Sequence, residues 1–317
     1  MEFHIIKRAR NTEARLGSFK TDHGGFKTPC FMPIATRGAV KNVDVQELST
    51  LGAEIILGNT YHLFLKPGDD LILNAGGLHC FMNWKGPILT DSGGFQVYSL
   101  AKIRKIRDDG VEFQSHLDGS RHILTPEKSM DIQMRLGSDI MMCLDECLEG
   151  GATSRYIKNS VRLTTDWATR SWKYLQDTKP YHPHKQFLFG IVQGGRFKTL
   201  RRQSAEALTA LPFHGFAIGG VSVGESRMSV QAIIEYTAPL LPWNKPRYLM
   251  GLGRPEEIIM AVKSGVDMFD CVIPTREARH GRLYQFCKSN ESGAIPLFEA
   301  FFYKTIQISN EQYKKRL

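Results

Sequence analysis

The chain has 317 residues, 42% hydrophobic and 23% charged, with no repeat or low-complexity tract; that ordinary globular balance supplies a large core and sets a disordered chain aside. The formal net charge is +9, so an anionic partner is expected, nucleic acid ahead of a membrane surface, unless the basicity serves solubility alone. No apolar run approaches the ~18 residues of a membrane span and Met1–Arg8 lacks a signal-peptide core, so a soluble, cytoplasmic protein with no membrane partner is expected.

In chain order, eight apolar, β-branched-rich runs read as buried strands: Cys30–Ala35, Glu54–Asn59, Pro87–Asp91, Asp139–Asp145, Phe187–Gln193, Gly215–Val221, Tyr248–Gly251 and Met268–Ile273. Helical patterns alternate with most of them, at Val43–Leu51, Pro126–Leu136, Ser154–Leu175, Arg196–Leu211, Ser226–Pro239 and Pro255–Ser264. Thr125-Pro126-Glu127 and Arg254-Pro255-Glu256-Glu257 are Pro-led helix starts with early acids. The alternation predicts an α/β chain folded as a (β/α)8 TIM barrel, with a doubly wound open sheet as the alternative. Between the third and fourth runs, Val111–Leu124 alternates at period two around Asp118-Gly119, which predicts a hairpin inserted after the third strand. The basic run Lys102–Arg107 before it reads as a loop or sheet edge, facing phosphate or only solvent. The expected organisation is one barrel domain over 1–317, with the insertion at 98–125 and an incomplete C-terminal extension at 285–317. The six cysteines are scattered without a C-x-x-C, so neither a disulfide framework nor a metal knuckle is signalled, and no metal ligand is assigned.

Four aspartates end strand-like runs, where barrel enzymes build active sites: Asp91, Asp118, Asp145 and Asp270. Asp118 sits in the Asp-Gly turn and reads as structural. Asp91 and Asp270 suit a nucleophile and general acid/base pair for substitution at an anomeric carbon, and Asp91, before Ser92-Gly93-Gly94, equally suits a helix cap. Asp145 has the chemistry to accept two N–H bonds from a guanine edge, and Gln193 to donate to a purine carbonyl. The Gly219–Glu225 loop lets backbone amides approach a flat ligand. Phe95 and Met250 read either as a base sandwich or as core. Paired carboxylates on a barrel also fit a sugar hydrolase.

Together these motifs resemble the tRNA-guanine transglycosylase (queuine tRNA-ribosyltransferase) family, bacterial type: Gly58-Asn59-Thr60-Tyr61-His62-Leu63, Thr90-Asp91-Ser92-Gly93-Gly94-Phe95-Gln96, Gly190-Ile191-Val192-Gln193-Gly194-Gly195, Tyr248-Leu249-Met250-Gly251 and Phe269-Asp270-Cys271-Val272-Ile273-Pro274-Thr275-Arg276. The resemblance implies a β/α barrel that exchanges the wobble guanine of tRNAs with a G-U-N anticodon for a 7-deazaguanine in queuosine biosynthesis, by covalent double displacement. It implies Asp270 as nucleophile on ribose C1′ and Asp91 as general acid/base. It implies Asp145, Gln193, Gly220, Val221, Phe95, Cys147, Met250 and Gly251 as substrate-binding residues, with Arg276 and Arg279 on the tRNA. Val223 matches the bacterial residue type, which implies 7-aminomethyl-7-deazaguanine rather than queuine. Family members form homodimers and continue into a C-x-C-x-x-C and a later histidine that bind a structural Zn2+. This sequence reaches Leu317 without those ligands, and Cys271 and Cys287 are wrongly spaced to replace them. The expectation is a chain truncated before the zinc module, with an incomplete grip on tRNA and an incomplete dimer interface; a catalytically impaired base- or tRNA-binding barrel is the alternative.

Overall fold

The computed structural model describes residues 2–101, 103–148, 151–221, 227–287 and 302–311. Val223 and most of the segment 288–317 lie outside the described residues, as does Lys102.

Each of the eight predicted runs contains a parallel strand: Cys30–Ala35 supplies Cys30–Met32 and Ile34–Ala35, and the others are Ile56–Gly58, Ile88–Thr90, Ile140–Met142, Phe187–Val192, Gly215–Ile218, Arg247–Leu249 and Met268–Asp270. The sheet closes on its first strand. Cys30–Met32 pairs with the last strand (Phe269 opposite Phe31), whereas Ile34–Ala35 pairs with the second (Ile34 opposite Leu57). The two halves are separated only by Pro33, which has no N–H to give a ladder. This closure excludes the doubly wound open sheet and gives a (β/α)8 barrel. Its strands are buried along their whole length, Phe187–Val192 at all six positions, as expected where helices cover a parallel sheet.

The surrounding helices follow the sequence signals. Thr125 accepts from Lys128 N at 3.1 Å ahead of the Pro126–Leu136 helix, which stops at left-handed Gly137. Ser154–Asp177, Lys198–Thr209, Arg227–Thr237 and Pro255–Lys263 lie close to their expected ranges, and Val45–Thr50 is shorter than its pattern. Five short helices were not foreseen: Thr60–Leu65, Asp69–Asn74, Leu78–Met82, Gly94–Leu100 and Ile273–Arg279. At five to seven residues they are too short to show a full helical period.

Two antiparallel additions complete the molecule. The insertion is a three-stranded sheet, with Gly110–Gln114 between Arg121–Leu124 and the basic edge strand Arg104–Arg107. Asp118 Oδ1 accepts from Ser120 N at 3.1 Å in the turn, as its Asp-Gly pattern predicted. The unpredicted addition is an N-terminal sheet of Phe3–Arg8, Arg15–Thr21 and Gly24–Thr28. Its Phe19 packs edge-on against Phe187 at 5.1 Å between ring centroids. Phe187 begins its strand, so this sheet covers the amino-terminal mouth of the barrel. Arg15 and Asp267, both buried, lock it there with bonds of 2.8 and 2.5 Å. Beyond the barrel, Arg282–Phe286 pairs with Tyr303–Gln307. No helix among the described residues is long and apolar enough to cross a membrane.

Candidate active site

A cavity of ≈ 410 Å³ opens at the carboxyl ends of the strands, and Asp91, Asp145 and Asp270 all line it. Each occupies a strand exit: Asp91 follows Ile88–Thr90, Asp145 follows Ile140–Met142, and Asp270 is the last residue of Met268–Asp270. Parallel strands place all such exits on one face, which is how residues so far apart in sequence meet.

The three carboxylates have different surroundings. Asp91 accepts from Asn59 Nδ2 at 2.6 Å, Thr60 N at 2.9 Å and Gly93 N at 3.2 Å. Burial pushes its pKa up to about 7, the two amides oppose that shift, and Asp270 and Asp145 add to it. It does not cap the helix that follows it: Gly93 holds that position without a side-chain bond. Asp145 accepts from Gln193 Nε2 at 2.7 Å and Ser92 Oγ at 3.4 Å; burial pushes it up to about 6 against those bonds. Asp270 accepts from Tyr248 Oη at 2.6 Å and Gly251 N at 2.8 Å, both on Oδ1. Burial raises its pKa, and those two donors hold it down. Burial, with Asp270 alongside, raises Tyr248 well above the ordinary phenol value, so Tyr248 remains a donor across the working range.

Of the other predicted residues, Phe95, Cys147, Gly220, Met250 and Gly251 line the same cavity. Phe95 is 46% exposed, which favours the base-sandwich reading over core packing for that ring. Gln193 is buried beside the cavity, its amide nitrogen committed to Asp145. Its Oε1 has no hydrogen-bond partner among the described residues, so a ligand that engages Asp145 frees this amide to turn. Val221 is buried and does not line the cavity. Arg276 and Arg279 lie exposed on the Ile273–Arg279 helix just beyond Asp270. Arg279 borders a second cavity of ≈ 790 Å³ rather than the first.

Sequence reading did not assign roles to Asn59, Tyr248 and Arg201, although the first two lie in quoted motifs. The Arg201 guanidinium is buried on the Lys198–Thr209 helix and donates to Val192 O at 3.0 Å, Gly195 O at 2.9 Å, Gly219 O at 2.7 Å and Gly220 O at 3.1 Å. It therefore fixes the two glycine loops from below. Gly220 has φ +62°, and a Cβ there would fall 2.4 Å from Gln193 Oε1, so the loop needs glycine both for backbone conformation and for close approach. A lone Arg in an amphipathic helix carries no sequence signal of such a role. His62 also lines the cavity; burial, then Arg37 and His116, push its pKa down to about 4, so the imidazole is neutral.

Three buried carboxylates of graded acidity around one cavity at a barrel's carboxyl face define a barrel enzyme site. A family model described as "Queuine tRNA-ribosyltransferase" matches residues 10–317. The chain is 52% identical over 284 residues to a protein named queuine tRNA-ribosyltransferase from Halothermothrix orenii, covering 90% of this chain and 74% of that one. It is 54% identical over 281 residues to one of the same name from Streptococcus sanguinis (89% and 73% covered), and 54% over 276 residues to another from Oleidesulfovibrio alaskensis (87% and 72%). The chain belongs to the queuine tRNA-ribosyltransferase family.

Proposed function

We propose that this chain is a tRNA-guanine transglycosylase, a pentosyltransferase of queuosine biosynthesis. Its substrates are tRNA carrying a G-U-N anticodon and a free base, 7-aminomethyl-7-deazaguanine in the forward direction. The observation that carries the reading is the convergence of Asp91, Asp145 and Asp270 on one cavity in a chain of this family.

Asp145, with Gln193 and the Gly220 amide beside it, reads the purine. Phe95 and Met250 flank it, and Cys147, Val221 and Gly251 complete the pocket. The Asp270 carboxylate attacks ribose C1′, the C1′–N9 bond breaks, and a ribosyl ester on Asp270 forms as guanine leaves. Asp91 delivers the proton that guanine takes up. The incoming base returns a proton to Asp91, attacks C1′ and displaces the Asp270 carboxylate, so atoms and charge balance over the cycle. A pKa of about 7 leaves Asp91 partly protonated near neutrality, which suits a group that must both give and take a proton. Arg276 and Arg279 hold the tRNA backbone near the anticodon, where their exposure leaves them open to phosphate.

We take the whole chain, in the cytoplasm, as one barrel unit with the 98–125 insertion and the 285–317 extension. The sequence holds no C-x-C-x-x-C, and among the described residues the six cysteines form no metal-holding group. The residues present do not fit the family's structural zinc, and no step is routed through a metal.

The test is incorporation of labelled guanine into a tRNA with a G-U-N anticodon, wild type beside Asp270→Ala. Uptake by the wild type alone is expected. Exchange retained in Asp270→Ala, or absent from a folded wild type that still binds guanine, would overturn the catalytic assignment.

A further inference from the structure

The amino-terminal mouth of the barrel, opposite the active cavity, holds a second cluster of titratable side chains. Asp139 directly precedes the Ile140–Met142 strand and is fully buried. His23 Nδ1 stands 2.9 Å from its Oδ1, and His79 Nε2 stands 3.1 Å from its Oδ2. The two imidazoles stack at 3.5 Å between centroids, 15° from parallel, so both direct a nitrogen at one carboxylate. Their side chains are 26% and 10% exposed, which leaves a path from solvent. A third ring, His184, stands edge-on to His23 at 4.5 Å.

We propose that His23, His79 and Asp139 form a site for a borderline divalent transition metal, of the class Zn2+, Co2+ or Ni2+. The three ligand atoms lie within 4.8 Å of one another, and they are the only three-ligand group of His, Cys, Asp or Glu among the described residues. Two imidazoles and one carboxylate are the donor set this class of ion prefers over Mg2+ or Ca2+. Metal–ligand bonds of ~2.0–2.1 Å place tetrahedral ligands roughly 3.4 Å apart, so the observed nitrogen–oxygen spacings need to open by only a few tenths of an ångström. Each imidazole has only to carry its proton on the other ring nitrogen. The backbone already supports the carboxylate: Ile88 N donates to Oδ2 at 2.8 Å, and Asp139 N and O bond Ile88 O and Phe187 N at 2.9 and 2.7 Å. That outer shell fixes a ligand's orientation before the ion arrives. The fourth position falls to water.

The ligands come from three separate pieces of the fold. His23 lies in the turn between Arg15–Thr21 and Gly24–Thr28, His79 on the Leu78–Met82 helix, and Asp139 on the barrel floor. An ion here staples the N-terminal sheet and an early helix to the barrel. It stands apart from the carboxylates of the active cavity, so the inference does not depend on the proposed activity.

The test uses the full chain, stripped with chelator and titrated with Co2+. One equivalent is expected to bind with visible d–d absorbance and no thiolate charge-transfer band, and Zn2+ is expected to displace it and raise Tm. His23→Gln alters a partly exposed turn residue, so it is expected to fold and to keep base exchange. Its Co2+ affinity is expected to fall by more than about 100-fold, since loss of mere outer-shell partners already costs about 10–100-fold. Three results would overturn the site: no Co2+ bound by the wild type, unchanged affinity in folded His23→Gln, or a thiolate band showing that cysteines hold the ion.

Discussion

Replacing Tyr248 with Phe removes one hydroxyl and one hydrogen bond, the 2.6 Å contact to Asp270 Oδ1. A hydrogen bond to an ionised group contributes about 1.5–3 kcal/mol, and about 1.4 kcal/mol corresponds to one pH unit. The bond favours the carboxylate, so its loss raises the Asp270 pKa by about one to two pH units, with Gly251 N still holding Oδ1 at 2.8 Å. A nucleophile must be ionised to attack. The acid limb of kcat/KM for guanine exchange is therefore expected to move up by about one to two pH units in Tyr248→Phe. The alkaline limb, governed by Asp91 near 7, is expected to stay in place. The rate at pH 6 then falls about tenfold, with a smaller loss near neutrality. The assay is the exchange rate from pH 5 to 9, with a thermal melt to show that the variant folds. An acid limb that does not move in a folded variant would refute Asp270 as the ionising nucleophile.

Asp145→Asn tests the buried base-reading carboxylate through stability. Its folded pKa of about 6 exceeds the ordinary 3.8, so the stabilisation present below about pH 4 is lost as pH rises through 6, by up to about 3 kcal/mol. Urea melts from pH 4 to 7 should show wild type losing stability relative to Asp145→Asn across that window, and a pH-independent gap would contradict the buried-charge account. Arg276→Ala and Arg279→Ala should each weaken tRNA binding and reduce the slope of log affinity against log salt by about 1. Unchanged slopes in filter-binding titrations would remove these arginines from the phosphate contacts.

The sequence by itself determined the eight strands and the barrel class, because buried parallel strands read as short apolar runs whatever their neighbours are. It also marked Asp91, Asp145 and Asp270, since carboxylates at strand exits stand out against apolar surroundings. Tertiary structure decided how those groups behave. Strand pairing on either side of Pro33 closed the sheet. Closure gathered the carboxylates around one cavity, where burial set the pKa values of Asp91 and Asp145 near 7 and 6. Asp91 read equally as catalyst or cap until space put Asn59 and Thr60 against it. Tyr248 on Asp270, Arg201 beneath the glycine loops and the His23–His79–Asp139 cluster left no local trace. Each joins segments from 6 to 116 residues apart in the chain, and a linear pattern carries propensity and polarity but not the through-space contacts that fix a proton or a loop.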